Sequence, residues 1–271
     1  MSVEILTATS ATMHEIETWL QAEDNAYRKA LAHRGRPSWD GVEIPDQGFL
    51  CNWNIVTRSF EADSENVHVL IVDGQAVGFV NAMDILEVRA DRRRAGFGQV
   101  LAAFMLQRAY DLGHSVAEIE IAPSTALPFW IQMGFTAHLD RTGAGGGIYA
   151  FKVFERRHAL GDGARVPYRI AFFPRDRDYD PSVEPFQVFE GDAEVLRDGD
   201  LQLPSRAYCL DPNGPTGTGC VVRVEVAGQL VTESRVGHSG ARETGIQLDT
   251  GGVSFFDRIA RRVRVRPAAL G

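Results

Sequence analysis

Residues 92–101 read RRRAGFGQVL, and this is where the chain concentrates groups that could hold an anion. Three arginines run into Gly96-x-Gly98, and the glycines run into an apolar segment with helical spacing. A strand, DILEV, precedes the turn. The first N–H groups of a helix have no partner within the helix, and they carry partial positive charge. Such an end holds anions, and glycine lets a phosphate approach the backbone. Arg92, Arg93 and Arg94 add positive charge at the same place. The chemistry that fits is a pyrophosphate cradle.

A second set of groups could move protons. Glu118 and Glu120 alternate with Ile119 and Ile121, so both carboxylates share one face of a strand. Glu87 lies on the strand that leads into the arginine turn. The seven histidines show no metal-ligand spacing and there is no Cys-x-x-Cys, so no metal is expected. GAGGG at 143–147 follows a strand but opens no helix, which makes it a turn and not a dinucleotide fingerprint.

The elements that must position these groups are set by periodicity and punctuation. VEILTATS reads as a first strand, and Met13, Ile16, Trp19 and Leu20 mark an amphipathic helix after it. A loop over 31–48 leads to FLCNWNIVTRSFE, read as a second, largely buried helix. VHVLIV and QAVGFVNA flank Asp73-Gly74, a tight hairpin signal, and DILEVRA is the next strand. Residues 97–112 place Val100, Leu101, Phe104 and Met105 on one helical face, with Gly113 as C-cap. SVAEIEIAP is a strand, STALPFWIQMGF a short helix ended by Gly134, and 136–154 a hairpin around the glycine-rich turn. The order is β-α-α-β-β-β-α-β-α-β-β, an α/β domain over residues 1–157 with a central sheet and flanking helices.

Beyond ERRHALGDGARVP, which reads as a linker, the texture changes. Short apolar runs such as YRIAFF, CVVRVEV and VSFF alternate with Pro, Gly and Asp clusters. This is the pattern of a smaller, mostly antiparallel β domain over 158–271. Arg258, Arg261, Arg262, Arg264 and Arg266 form a basic end.

VRADRRRAGFGQVL resembles the acetyl-coenzyme A signature of the GNAT superfamily of N-acetyltransferases, [Q/R]-x-x-G-x-[G/A], with Arg93, Gly96 and Gly98 at its fixed positions. ALPFWIQMGF resembles that family's second motif, an aromatic-rich helix followed by Gly134-Phe135. The motifs stand in the family's order and spacing, and the resemblance covers residues 1–157. It implies acetyl-CoA as cosubstrate and a GNAT-like fold with a mixed central sheet. It implies that the backbone N–H groups of Arg94, Ala95, Gly96, Phe97 and Gly98 hold the pyrophosphate, with Arg93 at the turn. The main chain of Leu86 and Val88 would pair with the pantetheine arm, the Val88 N–H polarising the thioester carbonyl. It implies a general base on the Glu118–Glu120 strand, where Glu120 matches best and Glu87 is the alternative. Trp130 stands where many members place a tyrosine acid; indole is not a usable acid, so Trp130 is assigned to packing against the coenzyme.

With 36 acidic against 28 basic residues the net charge is −8, which argues against nucleic acid and mildly favours a cationic acceptor. No membrane span or secretory signal is present, and three cysteines read as free thiols of a reducing cytoplasm. Two functions are carried forward. One is N-acetyl transfer to a primary amine of a small molecule or protein, by direct attack in a ternary complex. The other is a non-catalytic acyl-CoA-binding module. The acceptor and oligomeric state, a homodimer included, are left open.

Overall fold

In the computed structural model, which describes residues 2–33, 48–83, 85–143, 145–211 and 219–260, the expected element order is found. Residues 34–47 of the expected loop, and Arg261, Arg262, Arg264 and Arg266 of the basic end, lie outside the described residues. The chain divides into two compact units, one of 1–109 with 128–134 and one of 110–127 with 135–271.

In the first unit, β1 (Val3–Thr7), β2 (Val67–Val72), β3 (Gln75–Asn81) and β4 (Ile85–Val88) form an antiparallel sheet in chain order. Asp73 and Gly74 turn β2 into β3 with φ of 49° and 81°, as a two-residue hairpin of this hand requires. Helix α1 (Ser10–His33) buries Met13, Ile16, Trp19 and Leu20, the predicted face. They meet Trp53 and Val56 of α2 (Trp53–Ala62) over Phe79 of β3. The Trp53 and Phe79 rings meet edge to face at 5.4 Å. α2 is less buried than expected: a 3-10 turn takes Phe49–Asn52, and only Trp53 and Val56 of the helix are buried. α3 (Phe97–Asp111) also differs in detail. Its buried stripe is Phe97, Leu101, Ala102, Met105, Leu106 and Ala109, while Val100 is exposed. Gly113 does cap it, with φ of 93°. α4 (Leu127–Gln132) ends at Gly134, φ 86°.

The second unit holds β5 (Val116–Ile121), β6 (Thr136–Thr142) and β7 (Ile148–Val153) as a three-stranded sheet in the order β5-β7-β6. The strands before and after residue 109 therefore form two sheets, and every recorded pairing is antiparallel.

The rest is the expected antiparallel β region. It comprises β8 (Arg165–Phe173), β9 (Gln187–Val195), β10 (Leu201–Tyr208), β11 (Val221–Val226), β12 (Gln229–Arg235), α5 (Ser239–Glu243), β13 (Gln247–Leu248) and β14 (Ser254–Ile259). The seven strands make one sheet over a core that includes Ile170, Phe172, Leu203, Val222, Val224 and Phe256. Arg258 is not part of a free tail: it lies in β14 and its Nε donates to Gln202 Oε1 at 2.8 Å.

The segment read as a linker is bonded within this unit. His158 N–H donates to the Pro204 carbonyl and Arg206 N–H to the Arg156 carbonyl, each at 2.9 Å. Arg206, with 9% of its side chain exposed, pairs with Asp257 and donates to the Gly113 carbonyl at 2.8 Å. Asp249 Oδ2 accepts the Ser115 N–H at 2.6 Å. Val116 of β5 packs with Leu210 and Val253. β5 is thus held by C-terminal residues that flank β10, β13 and β14 as well as by β7.

Candidate active site

β4 is the edge strand of its sheet, and its register decides which backbone groups are free. Glu87 stands opposite Phe79 and Arg89 N–H donates to the Val77 carbonyl at 2.9 Å. Residues 87 and 89 therefore bond toward β3, and the N–H and C=O of Val88 between them point to the open side. Gly78 lets the strands close in, since a Cβ there would lie 2.7 Å from the Glu87 carbonyl and 3.0 Å from Leu101.

After Val88 the chain makes a 3-10 turn, Ala90–Arg92, and then alternates hand. Arg94 has φ of 64° and Gly96 of 86° before α3 starts at Phe97. Left-handed backbone costs a non-glycine residue about 1 kcal/mol or more, so Arg94 is strained here. The result is a concave run of backbone N–H groups at a helix head, a geometry that binds anions. The N–H groups of Arg94, Ala95, Gly96, Phe97 and Gly98 make no hydrogen bond to a described residue. A Cβ on Gly96 would meet nothing nearer than Gln99 Oε1 at 4.0 Å.

Arg93 does something the sequence did not announce. Its Nε donates to the Val88 carbonyl at 3.0 Å and its Nη2 to Glu87 Oε1 at 2.9 Å. The same Glu87 oxygen accepts the Val88 N–H at 3.0 Å. Burial pushes the Glu87 carboxyl above the ordinary glutamate range, against the opposing pull of Arg93. Glu23 of α1, which accepts the Ala90 N–H at 2.7 Å, is raised by burial too. Leu86 pairs with Val80 and is half-buried, so its side chain packs while its main chain serves the strand.

On α4 the residue against the cradle is Phe129. A Cβ on Gly98 would touch its ring at 3.4 Å. Trp130 is half-buried and lies edge to face with Phe129 at 4.9 Å. Sequence reasoning named Trp130 and passed over Phe129; the helical spacing of the PFW run was the available signal.

Glu118 and Glu120 belong to the second compact unit. Glu120 holds the glycine-rich turn: Gly147 N–H donates to its Oε1 at 2.6 Å and Gly145 N–H to its Oε2 at 2.8 Å. A Cβ on Gly143, Gly145 or Gly147 would collide with the Glu120 side chain at under 3 Å. The anion held by these glycine N–H groups is the chain's own carboxylate. Glu118 accepts the Tyr149 hydroxyl. Burial and that bond push the Tyr149 phenol far above its ordinary range, so it keeps its proton. Among the described residues no group of three or more His, Cys, Asp or Glu side chains is arranged to hold a metal ion. No helix among them is long and apolar enough to cross a membrane.

No protein-family model matches the chain, and no curated protein matches it. Solved structures do. The PaiA N-acetyltransferase of Thermoplasma acidophilum, in complex with coenzyme A, is 16% identical over 57% of this chain and 100% of its own, with a TM-score of 0.36. The ribosomal-protein-S18-alanine N-acetyltransferase of Escherichia coli is 12% identical over 60% of this chain and 99% of its own, TM-score 0.36. A GNAT-family acetyltransferase of Staphylococcus aureus is 9% identical over 56% of this chain and 99% of its own, TM-score 0.38. Over rather more than half its length the chain is similar to these solved structures of acetyltransferases, one of them of the GNAT family.

Proposed function

We propose that the protein is an acetyl-CoA-dependent N-acetyltransferase acting on a primary amine, with its coenzyme site in residues 1–157 and a separate role for 158–271 in acceptor access or assembly. The observation that carries this reading is the unpaired run of N–H groups from Arg94 to Gly98 at the head of α3, one 3-10 turn after an edge strand with outward-pointing backbone groups. A pyrophosphate on an extended arm needs those two things in that order. The reducing compartment suggested by three free cysteines is compatible with it.

Acetyl-CoA would supply the acyl group as an activated thioester. The residues of this chain then have four tasks. The backbone N–H groups from Arg94 to Gly98 bind the pyrophosphate, and Phe129 with Trp130 walls its side. The Leu86–Val88 main chain orients the extended arm, and the Val88 N–H faces the carbonyl oxygen as it gains charge. A carboxylate takes the proton that the acceptor's ammonium must lose before the free amine can attack. The leaving thiolate, with an ordinary thiol pKa of about 8.5, can depart without a side-chain acid, which makes Trp130 tolerable. Glu87 suits the proton acceptor better than Glu120. It lies beside the Val88 N–H with a raised carboxyl, whereas both Glu120 oxygens are engaged by the glycine turn.

A second reading, a non-catalytic acyl-CoA-binding module, is favoured by one observation: the Val88 N–H already has a partner in Glu87. The test is the full-length protein with acetyl-CoA and a panel of amines, with thiol release and the mass of the products as readouts. Turnover on any amine supports transfer. Coenzyme binding without turnover selects the module, and absence of coenzyme binding overturns both.

A further inference from the structure

The edge of β4 at Val88 is already closed by side chains of its own segment. One residue presents one N–H and one C=O to the open side, and both are taken by members of a single ion pair: Glu87 Oε1 holds the N–H at 3.0 Å, and Arg93 Nε holds the C=O at 3.0 Å. The two side chains are joined at 2.9 Å and are partly sheltered, with 19% of the Glu87 and 36% of the Arg93 side chain exposed. A surface ion pair alone contributes little. This one also satisfies two backbone groups that an edge strand would otherwise leave bare.

We propose that the Glu87–Arg93 pair is an internal plug that competes with the acyl donor for the Val88 backbone, so that the donor binds by displacing it. The inference rests on the acyltransferase reading above. A single N–H hydrogen cannot serve the Glu87 carboxylate and a thioester carbonyl well at once. Of the two acceptors the carboxylate is the stronger. A donor arriving with a carbonyl alone would therefore lose the contest. A donor arriving with a pyrophosphate does not, because Arg93 sits at the mouth of the 94–98 cradle and can exchange a carboxylate for a phosphate. Once Arg93 has turned to the phosphate, Glu87 loses its counter-charge and the Val88 carbonyl is freed for an extended arm. The carboxylate released from Val88 is then available to accept a proton. The same residue thus blocks the oxyanion donor before the donor substrate docks and serves the acceptor afterwards.

The test is a calorimetric comparison of acetyl-CoA and coenzyme A binding to the full-length wild-type protein and to Glu87→Ala. Removing a charge-assisted competitor should tighten acetyl-CoA by about tenfold to a hundredfold. Coenzyme A, which has no acyl carbonyl to place on the Val88 N–H, should gain less. Glu87→Gln keeps an acceptor oxygen without the charge, and it should give an intermediate gain even if the alanine variant folds poorly. In steady state the two variants should lower KM for acetyl-CoA while lowering kcat, a split that a merely structural role would not produce. Wild-type binding with no gain, or a loss, in both variants would overturn the plug alone. Failure of the wild type to bind either ligand would overturn the acyltransferase reading, and the plug with it.

Discussion

Gly147 donates its N–H to Glu120 Oε1 at 2.6 Å, and this bond joins the end of the β6–β7 connection to β5. With Gly145 on the other oxygen, the carboxylate fills a nest of its own chain. Glu194 repeats the device, accepting the N–H groups of Gly161 and Gly163 ahead of β8. Glycine is required at both places by the carboxylate's bulk, since Cβ atoms at Gly161 and Gly163 would come within 3 Å of Glu194.

The first prediction concerns Glu120. As an anchor, Glu120→Gln should lower stability by about 1–3 kcal/mol, because a neutral amide offers one acceptor for two N–H groups. Gly147→Ala should be at least as harmful, since its Cβ would lie 2.7 Å from the Ile121 carbonyl. Thermal melts should show both losses, with kcat of Glu120→Gln reduced less than about tenfold, well short of the loss of a general base. A fall of about 10²–10⁴-fold at unchanged melting temperature, relieved at high pH, would instead make Glu120 the base.

The second prediction concerns Asp257. Arg206 donates to both its oxygens, at 2.9 and 2.8 Å, and His158 Nε2 lies 2.9 Å from Oδ1. Burial pushes this carboxyl up, but Arg206 and His158 outweigh it and hold it below the ordinary aspartate range. A depressed carboxyl stabilises the fold above its unfolded pKa, about 3.9. That contribution is lost as pH falls through the lower folded value. The wild-type melting temperature should therefore drop as pH falls below about 4. Asp257→Asn, which strands the buried Arg206, should cost about 3 kcal/mol at neutral pH and should lack that part of the acid drop. An acid profile identical in the two proteins would remove Asp257 from the account.

The third prediction rests on the hold of these C-terminal residues on β5. A chain cut after residue 157 loses Arg206, Asp249 and Val253, and with them the partners of Gly113, Ser115 and Val116. Such a fragment should be insoluble or molten, with weak near-ultraviolet circular dichroism. A cooperative melt close to that of the full chain would show that β5 to β7 need no C-terminal cover.

Much of this was legible in the sequence because local signals were strong. Met13, Ile16, Trp19 and Leu20 named the buried face of α1, and Asp73-Gly74 named the β2–β3 hairpin. The arginine–glycine run pointed to a helix head with free N–H groups, and a helix head of that kind stands one 3-10 turn after β4. The features that were not legible depend on long-range pairing. Glu120 reads as a solvated or catalytic carboxylate until the turn 25 residues later closes on it. The linker reading of 155–167 failed to foresee its bonds to β10 and to the α3–β5 connection, because Gly and Asp content reports turns and not their partners. Arg93 looked like one of three phosphate ligands, and only the register of β4 shows that it also closes Val88.

The last prediction separates binding from folding at the cradle. Gly96 is a poor place to test it, because φ of 86° strains any side chain there and stability would fall with affinity. Gly98 is better. It lies in the first turn of α3 with no left-handed backbone, and its Cβ would meet the Phe129 ring at 3.4 Å, an ordinary contact. Gly98→Glu replaces a poor helix former and sets a negative charge at a helix N-terminus. Together these should contribute about 1 kcal/mol to stability. The new carboxylate would also reach the unpaired N–H groups of residues 94–98 and repel a pyrophosphate from them. The expected result is a melting temperature equal to or above wild type with coenzyme A affinity reduced at least about a hundredfold, the loss of two or more charge-assisted hydrogen bonds. Gly98→Ala, with the helix gain and no charge, should bind nearly as wild type. Wild-type affinity in Gly98→Glu would mean that the phosphates are held elsewhere, and the turn from Arg94 to Gly98 would then be a helix start and nothing more.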